Sequence, residues 1–291
     1  MKKALYKYFR MAELFVFTCF ISLSAAEVNA QPTTIASGVE WASERLDTGI
    51  YWKNYRGTDL FDSRQSINLI EVFLDSVTTE FKVAFLKDSM IKTSQFANEN
   101  DALVAVNGSF FRRDTGGSAV FLKVNGEVIY EGVPRRNRFN ESGAVAWSSN
   151  KSIQILKKPE EGWHHADFET VLSSGPLLIF ESTVQQFNND PFHQNRHPRT
   201  AVALTNDKRL YLVTIDGRSF QSYGMTIPEL SKFLLDLESE YALNLDGGGS
   251  TSMWIKNATE NGIVNYPSDN LEFDHEGERT VANALLIIPS Q

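Results

Sequence analysis

Cysteine is nearly absent from this sequence, which contains only one among 291 residues. That residue, Cys19, lies in an N-terminal stretch with the layout of a secretory signal peptide. Basic residues precede the apolar residues 14–23, and Val28-Asn29-Ala30 follows, so we predict cleavage after Ala30, with Ala25-Ala26 as the alternative. Without residues 1–30 no disulfide, thiolate nucleophile or cysteine metal site can form. We therefore expect an exported protein, periplasmic or extracellular.

Basic charge is also scarce, because 28 lysines and arginines stand against 36 aspartates and glutamates and give a net charge of −8. An acidic surface repels nucleic acid and anionic membranes, so we expect neither as a partner. The apolar part of the signal is shorter than the about 20 residues of a membrane span, so no stable membrane insertion is expected after its removal. Any anionic ligand requires a local cluster of basic residues.

Two familiar glycine-loop motifs are missing from the stretch Asn244-Leu245-Asp246-Gly247-Gly248-Gly249-Ser250-Thr251-Ser252. A P-loop needs a lysine directly after its last glycine, where Ser250 stands. A nucleophile elbow needs a glycine two places after its serine, where Ser252 stands. What is present is a triple glycine between an acid and a run of hydroxyl side chains.

This glycine loop, residues 246–252, has two interpretations. Glycine costs roughly 0.5 to 1 kcal/mol relative to alanine inside regular structure, so three together indicate backbone that approaches something closely. Successive free amides would form a concave anion site, with phosphate or carboxylate as the expected guest and Asp246 at its rim. The alternative is a tight turn in which the glycines only supply positive φ.

Sequence periodicity predicts mainly strands. The apolar runs at residues 68–74, 81–86, 102–106, 144–147, 152–156 and 177–180 are typical of strands. Asn125-Gly126 predicts a type I′ hairpin turn, and Thr226-Ile227-Pro228-Glu229 predicts a capping box that begins a helix. We expect an α+β fold, with a strand-rich, mixed and strongly twisted sheet core and a few helices packed against it. Residues 31–100, whose pattern is weak at 31–62, are expected to form an extension packed on a main domain at 101–291.

A second polar motif, Asn107-Gly108-Ser109-Phe110-Phe111, follows the predicted strand at residues 102–106. A side-chain amide beside aromatic faces suits sugar binding. A purely structural role, such as a turn, is an equally good interpretation.

Arginines and an acid flank the predicted hairpin of residues 200–204 and 209–215. A hairpin places its entering and leaving residues side by side, so Arg199 should lie close to Asp216-Gly217-Arg218. Two guanidiniums that share one carboxylate would leave net positive charge for an anion. A plain salt bridge is the structural alternative, and an exposed one contributes about 0 to 1 kcal/mol.

His193 and His197 have the i, i+4 spacing of a helical metal pair, but Pro191 and Pro198 bracket them and no glutamate stands where a metallopeptidase needs it. Histidines of a loop at a site entrance, or plain surface residues, are better interpretations than zinc ligands. No cofactor is required by the sequence. A divalent cation beside Asp246 or Asp269 stays open.

Several of these motifs occur together in the order of a known family. They are Asn107-Gly108-Ser109-Phe110-Phe111, Ser174-Gly175-Pro176, Arg199-Thr200-Ala201-Val202, Asp216-Gly217-Arg218, residues 244–250, Pro267-Ser268-Asp269 and Glu278-Arg279 with Val281-Ala282-Asn283-Ala284. Across residues 102–288 the sequence resembles the phosphodiester glycosidase family. It departs from the family at Ala203, where relatives usually carry glycine, and in a longer stretch between Asp269 and Glu278.

The resemblance implies hydrolysis of a sugar joined through its anomeric carbon to a phosphodiester, with cleavage of the sugar C–O bond. Asp246 is the candidate nucleophile or base and Asp216 the alternative, while Arg199 and Arg218 would stabilise the departing phosphate. Glu278 and Arg279 would complete the polar cluster. The remaining expected substrate contacts are Asn107, Gly108, Phe110, Phe111, Gly175, Gly247, Gly248, Gly249, Ser250 and Thr251.

Two other functional classes fit the same residues. One is a non-catalytic receptor for phosphorylated or acidic glycans, and the other is a phosphodiesterase that cleaves the P–O bond. In each case the expected partner is a sugar phosphodiester or a phosphoglycan.

Overall fold

The structure is a computed structural model that describes residues 38–77, 79–132 and 141–289, and the predicted signal peptide lies outside these residues. The helices are α1 (Thr93–Glu99), α2 (Pro191–Gln194) and α3 (Ile227–Asp236). The strands are β1 (Ala42–Asp47), β2 (Ile50–Gly57), β3 (Gln65–Phe73), β4 (Glu80–Phe85), β5 (Ile91–Lys92), β6 (Val104–Asn107), β7 (Phe121–Val124), β8 (Glu127–Glu131), β9 (Gly143–Ser148), β10 (Lys151–Lys157), β11 (Thr170–Ser174), β12 (Leu177–Phe180), β13 (Thr183–Val184), β14 (Arg199–Thr205), β15 (Arg209–Ile215), β16 (Ser239–Asn244), β17 (Met253–Ile255), β18 (Thr280–Val281) and β19 (Asn283–Ile288). Across the described ranges, no helix is long and apolar enough to cross a membrane.

These strands form sheets in which some neighbours are joined by short hairpins and others are distant in sequence. The largest sheet has eight strands in the order β1-β2-β3-β15-β14-β16-β12-β13. A five-stranded sheet has the order β10-β9-β11-β7-β8, a four-stranded sheet has the order β17-β6-β19-β4, and β18 pairs with β5. The strand-rich fold with few helices is confirmed.

The expectation of a mixed sheet is wrong, because every strand pairing among the described residues is antiparallel. Short connections such as the β1–β2 and β14–β15 turns allow only antiparallel neighbours, since a parallel pair needs a crossover of a dozen or more residues. The strong twist stays a prediction.

The apolar core lies between the faces of the sheets and follows the two-residue alternation of each strand. In β14, Val202 and Leu204 belong to the central cluster, whereas Ala201 and Ala203 face the other way. That other face packs against α3 through residues such as Phe233. In β19 the alternation similarly divides residues between the central cluster and a cluster that includes Phe96 and Ala97 of α1.

Local chemistry sets the positions of turns and helix ends. Asn125 and Gly126 both have positive φ and join β7 to β8, so the predicted hairpin turn is confirmed. Thr226 and Glu229 form the predicted capping box at the start of α3. Near the end of the chain, Ala282 separates β18 from β19.

The residues predicted to form an N-terminal extension contain two strands, β1 and β2, that the weak pattern did not reveal, besides β3 and β4, which the apolar runs predicted. Strands β1, β2 and β3 occupy one side of the eight-stranded sheet, and β4 is the last strand of the four-stranded sheet. Both sheets therefore continue across the expected boundary at residue 100.

Five strands of the largest sheet begin or end along one side, where the connecting loops emerge, and we call this side the loop edge. There β2 ends at Gly57 opposite Gln65, where β3 begins. Next to them β15 ends at Ile215 opposite Arg199, where β14 begins, and β16 ends at Asn244 beside Ala201. The glycine loop and the Asp216-Gly217-Arg218 segment therefore emerge at the same edge.

Candidate functional site

Asp246 leaves the end of β16 at the loop edge, and its main chain is fixed from both sides. Its carbonyl oxygen accepts a hydrogen bond from Asn107 Nδ2 at 2.7 Å, and its amide donates to the Gly108 carbonyl at 3.1 Å. The Asn107 side-chain oxygen in turn accepts from Thr200 Oγ1 at 2.7 Å and from the Ser252 amide at 3.1 Å. Asn107 is fully buried, so it positions Asp246 rather than contacting a ligand.

The Asp246 carboxylate is half-buried and ionisable. Burial raises its pKa to about 6, while hydrogen bonds from the Ser250 side chain and the Gly247 amide, and the charges of Arg279 and Arg113, act in the opposite direction. The Gly247 amide lies 3.0 Å from Oδ1. The carboxylate is therefore poised to change its charge close to neutral pH.

Arg218 and Arg279 lie directly over the glycine loop. A Cβ atom added at Gly248 would stand 2.8 Å from Arg218 Nη2, and one added at Gly249 would collide with the Arg279 guanidinium. A side chain at Gly249 would therefore have to displace the ends of the Arg279 and Asp269 side chains from the loop. Arg279 also pairs with Asp269, and its Nη1 lies 3.5 Å from Ser250 Oγ.

Arg113 adds a third positive charge beside this pair. It is exposed, and its charge acts on both Asp246 and Arg218. Burial lowers the pKa of Arg218, and the nearby charges of Arg279 and Arg113 lower it further. Crowding of like charges on an acidic protein marks a site for an anion. The sequence signal was the Arg112-Arg113 pair after the asparagine motif, to which no role was assigned.

The glycine loop does not present the expected row of free amides. The amides of Gly247, Gly248 and Ser250 donate to Asp246 Oδ1, the Pro198 carbonyl and the Gly247 carbonyl. The candidate anion site is therefore formed mainly by the guanidiniums of Arg218 and Arg279 above the loop.

Arg199 does not belong to this cluster, which corrects its expected catalytic role. Its side chain is 1% exposed and donates to the carbonyl oxygens of Met225, Phe192 and Asn195. Burial lowers its pKa. The hairpin does bring the main chain of Arg199 to Ile215, but the guanidinium serves to satisfy buried carbonyls.

Asp216 is also structural, so the expected sharing of this acid by two arginines is wrong. It is fully buried, and its carboxylate accepts from Ser66 Oγ at 2.7 Å, Tyr266 N at 2.8 Å and Asn265 Nδ2 at 3.0 Å. Burial raises its pKa, and these hydrogen bonds oppose that rise. Its bonds join the loop after β15 to the start of β3 and to the Asn265-Tyr266 segment.

Glu278 caps a helix instead of completing the polar cluster. Its carboxylate accepts from the amide of Ser94 at 3.0 Å and from Ser94 Oγ at 2.6 Å. Ser94 lies in the first turn of α1, whose N-cap residue Lys92 makes no side-chain capping bond. Glu278 therefore satisfies the free helix end, and its neighbour Arg279 alone reaches the site.

Most of the expected sugar contacts prove to be internal. Phe110 and Phe111 are buried in two apolar clusters, which corrects the expectation that their faces bind a sugar. Gly175 is buried, and its carbonyl accepts from Asn244 Nδ2 at 2.8 Å. Thr251 is 1% exposed, and Gly108 packs so closely on Asn283 that a Cβ atom would collide with it.

The two histidines do not form a metal pair. His193 is buried, with Nδ1 at 2.7 Å from Asp190 Oδ1. His197 lies beyond α2, and burial, together with the charges of Arg199 and Arg218, lowers its pKa. Within the part of the chain that the structure describes, no three His, Cys, Asp or Glu residues are grouped to hold a metal ion.

Comparison with protein families gives a match over more than half of the chain. Residues 100–288 match the family model described as phosphodiester glycosidase. This span includes Asn107, Arg113, Arg218, Asp246 and Arg279.

Curated relatives are similar over part of their length. The SPbeta prophage-derived uncharacterized protein YomE of Bacillus subtilis is 36% identical over 201 residues, which are 66% of this chain and 28% of that protein. The N-acetylglucosamine-1-phosphodiester alpha-N-acetylglucosaminidase of Bos taurus is 25% identical over 189 residues, which are 60% of this chain and 34% of that enzyme. The chain thus spans about a third of these relatives.

Solved structures share the fold. The zebrafish N-acetylglucosamine-1-phosphodiester alpha-N-acetylglucosaminidase catalytic domain, auto-inhibited by its pro-peptide, superposes with a TM-score of 0.64 at 18% identity, covering 88% of this chain and 92% of that one. A putative exported protein from Burkholderia pseudomallei has a TM-score of 0.59 at 15% identity, covering 78% of this chain and 74% of that one.

The structural role of Glu278 can be separated from the anion site. Glu278→Ala leaves two donors of Ser94 without their acceptor, so we expect a loss of about 1–3 kcal/mol in the free energy of unfolding. Binding of inorganic phosphate, measured by calorimetry, should change less than about twofold, because Arg113, Arg218 and Arg279 are untouched. The exposed Glu276→Ala is the matched control. Unchanged stability with lost phosphate binding would instead place Glu278 in the site.

Proposed function

The chain belongs to the phosphodiester glycosidase family, and from that premise we propose that it hydrolyses a sugar-1-phosphodiester at the sugar C–O bond. The products are a free sugar and a phosphomonoester. The observation that carries this proposal is the half-buried Asp246, whose pKa burial raises to about 6, beside three guanidiniums. A carboxylate of this kind suits attack at an anomeric carbon, and the guanidiniums suit the departure of a phosphate.

The charges at the site match the proposed substrate. Arg113, Arg218 and Arg279 contribute three positive charges, and Asp246 and Asp269 contribute two negative ones when ionised. The surplus of one positive charge equals the single negative charge of a phosphodiester. Cleavage adds negative charge to the phosphate, and guanidiniums held in place before the reaction stabilise that charge without reorganising.

Phosphate is a good leaving group, which changes what the protein must supply. Ordinary glycosidases use one carboxyl group to protonate the leaving oxygen and a second as nucleophile or base. With a phosphate leaving group the protonation is less important, so the arginines take the place of the general acid. Asp246 acts as the nucleophile or as the base that activates water. On either route an oxygen from water ends on the sugar, and the bridging oxygen stays with the phosphate.

We also propose that the protein acts outside the cytoplasm, in the periplasm or beyond the cell. The proposal is supported by the layout of residues 1–30, which is typical of a signal peptide. The sugar to test first is N-acetylglucosamine, because the bovine relative is named for a phosphodiester of that sugar. A methyl N-acetylglucosamine-1-phosphodiester is the smallest such substrate.

Asp246→Asn should lower kcat/KM for this substrate by about 10²–10⁴, the usual contribution of a positioned acid or base. In the unmodified protein kcat/KM should rise about tenfold per pH unit up to about pH 6 and then level, because the ionised form of Asp246 is the active one. The variant should lack this rise. Asp75→Asn, at an exposed aspartate paired with Lys208, is the matched control. Full turnover by Asp246→Asn would reject the proposed role.

Hydrolysis in oxygen-18 water identifies the bond that breaks. We expect the label in the released sugar and none in the phosphomonoester, measured by mass spectrometry of both products. Label in the phosphate would contradict the proposal and indicate a P–O phosphodiesterase. Saturable binding of every sugar phosphodiester tested, without product, would instead favour a receptor.

A further inference from the structure

A second basic pocket opens at the loop edge, away from the glycine loop. Its volume is about 290 Å³, and its lining residues are Arg56, Gly57, Thr58, Arg64, Phe220 and Gln221. None of these residues has a role in the proposed reaction. The pocket combines two guanidiniums, an aromatic ring and a side-chain amide, which are groups that recognise phosphate and sugar.

The pocket and Asp246 belong to the same row of strand ends. Gly57 ends β2 and Asp246 follows β16, and the strands between these two are β3, β15 and β14. Neighbouring strands lie about 4.8 Å apart, so four spacings place Gly57, on the far side of the pocket, about 19 Å from the end of β16 that precedes Asp246. A ligand that lies along the loop edge would reach both.

One loop, residues 217–224, connects the site at Asp246 to the second pocket. Arg218 at its start lies over Gly248, and Phe220 lines the second pocket. The loop is fixed to the start of β3 by the bond from the Tyr223 amide to the Arg64 carbonyl, at 3.0 Å. The loop therefore links Arg218 to the pocket through a short segment of main chain.

Phe220 and Arg64 hold each other in place and leave one face of the Phe220 ring exposed. Phe220 is 70% exposed, and Arg64 covers one face of its ring, with the guanidinium carbon 3.8 Å from the ring centre. Arg64 Nη1 also donates to the Phe220 carbonyl at 3.2 Å. The uncovered face of the ring is available to stack on a sugar.

The charges of Arg56 and Arg64 are not neutralised. In the described ranges neither makes an ion pair with a carboxylate, although the protein carries a net charge of −8. Arg56 lies 5.0 Å from the ring centre of Phe273. Asp59, an acid close in sequence, lies 3.4 Å from the hydroxyl of Tyr55. Two unpaired guanidiniums on an acidic surface favour an anionic ligand.

We infer that this pocket binds a second phosphodiester of the same substrate, which would therefore be a linear glycan whose sugars are joined through phosphodiesters. The inference rests on the proposed function for its first subsite, at Asp246. Arg56 and Arg64 bind the second phosphate, and Phe220 stacks on the adjoining sugar. The acidic surface elsewhere repels such a polyanion, so the chain is guided to the loop edge.

The test uses oligomers of N-acetylglucosamine-1-phosphate with one and six repeats, each fluorescently labelled. Binding is measured by anisotropy on the full-length Asp246→Asn protein, so that the probe is not consumed. We expect the dissociation constant for six repeats to be at least about tenfold lower than for one, because more charge-assisted bonds form. In Arg56→Gln/Arg64→Gln this gain should fall below about twofold, and the affinity for one repeat should stay unchanged.

Arg45→Gln is the matched control, since Arg45 is an exposed arginine of β1 near the turn at the opposite end of β2. It should retain the full gain. Equal affinities for both lengths, or the same gain in Arg56→Gln/Arg64→Gln, would overturn the inference. Turnover separates this result from the proposed function: a length-dependent gain without sugar release by the unmodified protein would keep the subsite and reject the glycosidase.

Discussion

The side-chain amide of Asn107 is the constraint on which the site depends. It lies at the end of β6 in the four-stranded sheet and bonds to Thr200 of the eight-stranded sheet, to the Asp246 carbonyl and to the Ser252 amide. Because the Asn107 side chain is buried, it cannot bond to water, and these protein hydrogen bonds replace the bonds to water that it loses on folding. The two sheets and both ends of the glycine loop are thereby fixed together. Asp246 can hold a partly desolvated carboxylate only because its main chain is fixed in this way.

Much of the fold follows from local sequence. The strands with apolar alternation, the Asn125-Gly126 turn and the Thr226 capping box depend on nearest neighbours, so periodicity and turn chemistry predict them. Strands β1 and β2 were missed because their residues are largely exposed or half-buried, and pairing with β3 defines them. The antiparallel order of all described pairs is a tertiary property. A list of strands does not determine it, since it depends on which distant strands pair.

The site was predicted in part, and the reason lies in what sequence can reveal. Asp246, Arg218 and Ser250 lie together because their motifs follow strand ends at the loop edge, and Arg279 reaches them from the position before β18. Arg199, Asp216 and Glu278 have the same residue types, yet they bond to buried carbonyls, to Ser66 and to a helix end. Charge in a motif does not distinguish a group that faces a ligand from one that satisfies buried polar atoms. Burial decides this, and burial depends on packing between distant segments.

Burial opposes the charge of the Asp246 carboxylate, and the neighbouring guanidiniums sustain it. Titration of the Asp246 carboxyl carbon by NMR measures this directly, in the unmodified protein and in Arg279→Gln. We expect a pKa of about 6 in the unmodified protein and a higher pKa in Arg279→Gln, because the charge of Arg279 lowers the pKa of Asp246. A pKa close to the ordinary 3.8, the same in both proteins, would show that neither burial nor Arg279 acts on the Asp246 carboxylate.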